Sequence, residues 1–344
     1  MSETDNAADA IHVALAIYDP KGTYSRHSGV VMTSIFERTK SPVCVHILHD
    51  RTMTERNRAL LKETAETFGQ GIAFHDVSPH IEQVGNEAIR RAEKHQHSIG
   101  ALFRLLIPEL LPSKIEKVIY LDSDILVNMN IQELWDISLE NYSLAGVLDH
   151  PINKPYRRFS YRTFGMKLMG CDRKHYINSG VLSMNLPKVR KKFKLSQQGV
   201  SWYKRYAHCS DLVDQDLINS CFRGDIKIID SKFNNCYVHD GDISNSILHA
   251  IGIKPWNGLN GSDLERMYWK TYFKTPWGKL SPDAVADLMF DVMRNSPFTH
   301  RRTSQCYKKM FFRLRKDVFL EGYAAFLWLL LKDVCYRVRN SVRG

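Results

Sequence analysis

The chain has 344 residues, 44% of them hydrophobic and 25% charged, proportions that exclude a disordered or fibrous protein. Its formal net charge of +11 is unevenly placed: residues 300–344 hold 11 Lys and Arg against 3 Asp and Glu. A nucleic-acid enzyme spreads basic residues along its groove, so this distribution argues against nucleic acid as a partner and points instead to a basic tail.

The elements alternate in type along the first half. Ile11–Tyr18 and Val43–Leu48 are apolar runs that predict strands. Between the second and third strands, Thr54–Phe68 carries Leu60, Leu61, Ala65 and Phe68 on one helical face, and Gly69 then stops the helix. Ile72–Val77, Val118–Leu121 and Leu144–Leu148 predict further strands. This β-α-β order predicts an α/β fold with a doubly wound, mainly parallel, Rossmann-like sheet. In the second half, Asn178–Leu186 predicts a strand, Leu212–Phe222 a helix and Ile226–Ile229 a short strand, while Pro, Trp and Gly make 254–278 look irregular. The expected division is a catalytic domain over 1–295 and a C-terminal extension over 296–344.

Ligands of such sheets collect at the carboxyl ends of strands. Asp19, the pair Asp122 and Asp124, and Asp149 all fall there. Asp is also a common turn former, which is the alternative reading of each one singly. In an extended Asp122-Ser123-Asp124 segment both carboxylates would point the same way, offering two hard oxygen ligands to Mg²⁺ or Mn²⁺ and, through the ion, to phosphate. Further on, His249 could complete such a metal sphere and would favour Mn²⁺, Gly252 would let backbone approach a phosphate, and Lys254 would supply a charge for it. A competing metal candidate is His239-Asp240-Gly241-Asp242. Seven scattered cysteines without a C-x-x-C pair argue against a disulfide framework and a structural zinc site.

Six segments in order, ALAIYD with Tyr24 downstream, ALFRLLIPELLP, KVIYLDSDILV, NSGVLSMNL, DQDLIN and HAIGIKPW, resemble glycosyltransferase family 8. This family of retaining enzymes has a GT-A fold and includes bacterial lipopolysaccharide hexosyltransferases; the resemblance covers roughly residues 11 to 278. It implies Asp122, Asp124 and His249 as metal ligands. It also implies Ala16, Tyr18, Asp19 and Tyr24 in the segment holding the nucleotide base and ribose, although this segment is longer and less acidic than the family's usual form. By the same resemblance Arg104 contacts the donor, Gly252 and Lys254 bind phosphate, and Asp149, Asn178, Asp214 and Gln215 form the sugar-binding wall. Read without it, Asn178 could cap a strand and Asp214 could be a helix N-cap.

The activity so implied is transfer of a hexose, galactose or glucose, from a UDP-sugar to a glycan or glycolipid acceptor such as a cell-surface polysaccharide or lipopolysaccharide. A sugar-1-phosphate nucleotidylyltransferase would show a Gly-rich loop with Arg and Lys after the first strand, where this chain has only Gly22. An inactive glycan-binding homologue would not need Asp122, Asp124, His249 and Lys254 together. In the tail, Phe311, Leu314, Val318 and 326–331 form apolar faces surrounded by Lys and Arg, a pattern suited to an anionic membrane surface, to the protein's own core or to a second subunit. The polar N-terminus and the lack of a ~20-residue apolar run give the expectation of a cytoplasmic protein, peripheral on the inner membrane face.

Overall fold

The computed structural model describes residues 10–81, 99–149, 161–236, 242–252, 254–257 and 262–279. The C-terminal extension and the His239–Asp240 segment lie outside the described residues.

The strands are β1 (Ile11–Ile17), β2 (Val43–His49), β3 (Gly71–Asp76), β4 (Lys117–Leu121), β5 (Ile125–Asn128), β6 (Leu144–Leu148), β7 (Ile177–Asn185), β8 (Ile226–Ile228) and β9 (Ser246–His249). Seven of them form one sheet in the order β3-β2-β1-β4-β7-β6-β8, and β5 pairs with β9 in a second. β1, β2, β3 and β4 run parallel, as expected; β7 runs antiparallel to both its neighbours, and β8 is parallel to β6. Every residue of β1 is buried, which is why it reads as a continuous apolar run and not as an alternation. Ile11, Val13, Leu15 and Ile17 join a core on one face of the sheet, while Ala14 and Ala16 join another on the opposite face.

Two helices escape the sequence pattern. α1 (Ser25–Phe36) is buried almost all round, so it has no polar face to reveal its period. Its start is organised by Asp19, whose carboxylate accepts from Tyr24 N (2.7 Å), Ser25 N (3.0 Å), Ser25 Oγ (2.6 Å) and Asn57 Nδ2 (3.1 Å). α2 (Glu55–Thr67) does follow its expected course, capped by Thr54 Oγ1 accepting from Asn57 N and followed by Gly69 at φ +64°. Two more helices matter for the site: α3 (Val213–Cys221), close to its predicted range, and α4 (Asp263–Tyr272). α4 corrects the expectation of irregular chain over 254–278. Ser262 caps it by accepting from Glu265 N, and the S-x-x-E spacing of a capping box was present in the sequence beneath the aromatic residues.

α4 packs Leu264, Tyr268 and Tyr272 with Val30, Leu126, Leu248 and Ala250, tying α1 to the second sheet. Within that contact His27 Nδ1 lies 2.6 Å from Tyr268 Oη, and its ring stacks on Trp256 at 3.6 Å. Burial, reinforced by Arg26, pushes the His27 pKa well below the ordinary value. The folded protein thus keeps His27 neutral, while the unfolded chain takes up a proton as pH falls below about 6.5. The unfolded state then binds more protons, so stability declines with falling pH by up to about 1.4 kcal/mol per unit. His27→Phe is expected to flatten the fall in Tm below about pH 6.5; thermal melts with equal slopes for variant and parent would contradict this account.

Candidate active site

Asp122-Ser123-Asp124 is a turn between β4 and β5, not a continuation of the strand, with Ile125 N donating to Asp122 O (3.3 Å). The two carboxylates therefore converge through turn geometry and not through strand alternation. Ser123 points inward between them, 2.8 Å from Ser28 Oγ, and donates to Ala16 O (3.3 Å). The chain then enters β5, whose pairing with β9 sets Ile125 opposite His249. That pairing places His249 Nε2 3.3 Å from Asp124 Oδ1 and 3.9 Å from Asp122 Oδ2.

One ligand atom each from Asp122, Asp124 and His249 lies within 4.8 Å of the others. The residues fit a divalent ion on two further counts. Asp124 Oδ1 is buried and accepts no hydrogen bond from the described residues. Gly180, whose carbonyl accepts from Asp122 N (2.9 Å), leaves open the space beside the cluster: a Cβ there would stand 2.3 Å from His249 Cε1 and 2.9 Å from Asp122 Oδ2. Two carboxylates and an imidazole suit Mn²⁺ somewhat better than Mg²⁺.

The cluster is held from behind. His249 Nδ1 lies 2.9 Å from Asn234 Oδ1, and Asn234 Nδ2 donates to Asn178 Oδ1 (2.9 Å). This fixes the ring so that Nε2 faces the carboxylates, as a hydrogen-bonded partner does for a metal-bound histidine. Nothing in the sequence FNNCY marks Asn234 for this role. Lys254, reached through Gly252 at φ +97°, pairs with Asp124 Oδ2 and donates to Ala250 O (2.7 Å). Burial pushes the Asp124 pKa up, but His249 and Lys254 together hold it below the usual carboxylate range. Burial likewise opposes protonation of His249, yet Asp124, with help from Cys236 and Asp122, raises its pKa to about 10.

Arg104 sits beneath the site, 6% exposed, and joins its two halves. Its Nη2 is 2.8 Å from Asp122 Oδ1, its Nε 3.2 Å from Asp214 Oδ2, and its Nη1 donates to Ser179 O (2.7 Å). Ser179 Oγ donates to Asp214 Oδ2 (2.8 Å), Ser179 N to Gln215 Oε1 (3.0 Å), and Gln215 Nε2 to Asp149 Oδ2 (2.8 Å). Asp149, Asn178, Asp214 and Gln215 are thereby joined to the metal-type cluster in one connected network. Asp214 does not cap α3, whose N-cap position is Leu212; Asp216, inside the first turn, folds back to accept from Asp211 N (3.1 Å) and Leu212 N (3.0 Å).

The segment after β1 is arranged differently. Tyr24 lies beside the acidic pair, and burial followed by Asp124 and Asp122 raises its pKa above the ordinary range. Its ring meets Trp256 edge-on at 6.3 Å. Tyr18 packs edge-on against Phe103 at 6.5 Å. Asp19 spends its carboxylate on the start of α1, and Ala16 contributes its carbonyl to Ser123.

The family model described as glycosyl transferase family 8 matches residues 16–259. The chain belongs to glycosyltransferase family 8. Among relatives in that family's range, a putative glycosyltransferase of Haemophilus influenzae is 28% identical over 218 residues, 63% of this chain and 62% of its own length. The lipopolysaccharide 1,3-galactosyltransferase of Salmonella typhimurium is 25% identical over 193 residues, 51% of this chain and 54% of its own. The chain thus spans less than two thirds of each of these relatives. A galactosyltransferase, LgtC, solved with donor and acceptor sugar analogues, superposes with a TM-score of 0.63 at 22% identity, covering 81% of this chain and 100% of that one. The fold is the GT-A fold of family 8, and the Asp122, Asp124 and His249 cluster sits where its strand ends meet.

Because Gly180 borders the cluster so closely, Gly180→Ala is expected to weaken Mn²⁺ binding by about 10–100-fold, the scale seen when the shell supporting metal ligands is disturbed. Calorimetric titration with Mn²⁺ alone checks this. An affinity equal to that of the parent, with the same far-UV spectrum, would show that the cradle is not used.

Proposed function

We propose that this family 8 glycosyltransferase transfers a hexose, galactose or glucose, from a UDP-sugar to a cell-surface glycan or lipopolysaccharide acceptor, with retention of configuration and with Mn²⁺ or Mg²⁺ as cofactor. The observation that carries the reading is the single network running from Lys254 and Asp124 through His249, Asp122 and Arg104 to Asp214, Gln215 and Asp149. The Salmonella relative is a lipopolysaccharide galactosyltransferase, which supports galactose as the sugar and lipopolysaccharide as the acceptor class.

In this reaction the bond from the anomeric carbon to the diphosphate breaks, a bond to the acceptor oxygen forms, and the acceptor's proton ends on the departing diphosphate. A divalent ion held by Asp122, Asp124 and His249 would neutralise charge gathering on that diphosphate. Lys254 offers ammonium N–H donors to the same phosphate oxygens. Asp149 and Asp214 accept hydrogen bonds from sugar hydroxyls and hold the ring in place. Gln215 is bonded at both ends of its amide and so keeps the wall rigid; as a neutral amide it is a poor nucleophile. Among the described residues the site carboxylates Asp122, Asp124, Asp149 and Asp214 are all engaged by neighbouring side chains, which supports departure and attack on the same face of the sugar. The family assignment argues against a nucleotidylyltransferase, and the intact Asp122, Asp124, His249 and Lys254 set supports an enzyme over an inactive glycan-binding homologue.

Release of UDP from a panel of UDP-sugars, with and without Mn²⁺, tests the reading. Turnover is expected with UDP-galactose or UDP-glucose and should fall by at least about 100-fold in Asp124→Asn, the scale of losing a principal electrostatic stabiliser. Activity unchanged in Asp124→Asn would sink the metal assignment, and no turnover with any UDP-sugar would sink the donor class.

The basic extension over 296–344 is proposed to rest on an anionic membrane surface, bringing the site to a lipid-linked acceptor. Among the described residues no helix is long and apolar enough to cross a membrane. The full chain is expected to co-sediment with phosphatidylserine-containing vesicles and a chain ending at Pro297 to lose that property. Equal sedimentation of the two would overturn the role.

A further inference from the structure

The amino-terminal end of the sheet carries a second cluster that glycosyl transfer does not use. The register of β1 on β2 sets His12 opposite Cys44, and His46 is the next residue on the same face of β2. One ligand atom each from His12, Cys44 and His46 lies within 4.8 Å of the others. His12 Nδ1 and His46 Nε2 are 3.0 Å apart. β1 must rise from His12 to its far end before the chain reaches Asp19, roughly 20 Å away at about 3.3 Å per residue. The two clusters are therefore separate sites.

The donor sets differ as well. Asp122, Asp124 and His249 present mostly hard oxygen, whereas two imidazoles and a sulfur suit Zn²⁺. Tetrahedral zinc with bonds of about 2.0–2.1 Å sets its two nitrogen ligands about 3.3 Å apart, a small opening of the spacing seen here. His75 on β3 supplies the usual outer partner: its Nε2 lies 3.0 Å from His46 Nδ1. When His46 binds through Nε2 its proton resides on Nδ1, and His75 accepts it, which orients the ring. Access is built in. His12 and His46 are buried, but Cys44 and His75 are only partly so. Gly71 pairs with Cys44 on the next strand, and a Cβ there would stand 3.4 Å from Cys44 Sγ, so the glycine leaves the sulfur uncovered on that side.

We propose that His12, Cys44 and His46 form a zinc-binding site, with His75 holding His46 in its ligating orientation and water completing the coordination. The site clips β1 to β2 at the end of the sheet remote from the sugar nucleotide. Spacing in the sequence hides it, because one ligand comes from a different strand and the cysteine stands alone.

The test uses the full chain carrying Asp124→Asn, which weakens the other cluster, stripped with a chelator and titrated with Zn²⁺ or Co²⁺ alone. One equivalent is expected to bind, with a thiolate-to-cobalt charge-transfer band and tetrahedral cobalt absorption. Cys44→Ser should abolish the charge-transfer band, and His75→Gln should weaken affinity by about 10–100-fold while the band persists. Zinc should raise Tm in the parent and leave that of His46→Gln unmoved. Cobalt bound without a charge-transfer band, or zinc binding undiminished in both Cys44→Ser and His46→Gln, overturns the proposal. The charge-transfer result on the otherwise native chain decides the matter even if a histidine variant fails to fold. None of these readouts depends on transferase activity.

Discussion

The buried guanidinium of Arg104 is the interaction on which the catalytic half of the molecule depends. It lies over the Tyr120 ring at 4.5 Å and reaches Asp122 on one side and Asp214 on the other. Burial works against its charge, but these carboxylates more than offset that and raise its pKa above the ordinary value. A charge so enclosed is tolerable only while its partners stay in place, since removing one partner of a buried pair costs about 3–5 kcal/mol. Asp122 and Asp214 therefore cannot drift independently. The Asp122–Asp124–His249 cluster and the Asp214–Gln215 wall keep one spacing because a single rigid group touches both.

Around that centre the charges nearly cancel. Asp122, Asp124 and Asp214 face Arg104, Lys254 and His249 in one connected set of ion pairs. Were Asp124 to hold a divalent ion together with Asp122 and His249, Lys254 would lose part of its pairing with Asp124, and its ammonium would be available to a phosphate. The same economy appears at Asp19. A carboxylate that the family resemblance assigns to the nucleotide is spent on capping α1, and through α1 it sets the position of Ser28 beneath the acidic turn.

Much of the scaffold was legible beforehand. β1, β2, β4 and β6 are buried runs with little polar content, and the hydrophobic effect marks such strands without help from context. α2 announced itself by one apolar face and a terminal glycine. α1 did not, because it is buried on nearly every side, and α4 was obscured by the Pro, Trp and Gly residues around it, which read as irregular chain. β5 and β9 are four residues each, too short for a periodic signal, and what defines them is their pairing. The third metal-type ligand depends on that pairing. Asn234 and Gly180 were invisible for a similar reason: one is a hydrogen-bond relay, the other a space kept clear.

The sequence by itself determined the chemical inventory and its order: an acidic pair after a buried strand, a histidine followed by glycine and lysine far downstream, and six segments in a family's order. Local physics suffices there, since strand burial and turn chemistry are encoded within a few residues. Only the tertiary structure decided what each group faces. It turned Asp122 and Asp124 together through a bend instead of a strand, drew His249 across by strand pairing, and gave Arg104 to both halves of the site. It also brought His12 beside Cys44 and His46. These outcomes rest on register between segments distant in sequence, and a shift of one residue in any strand pair would send the same side chains to the opposite face.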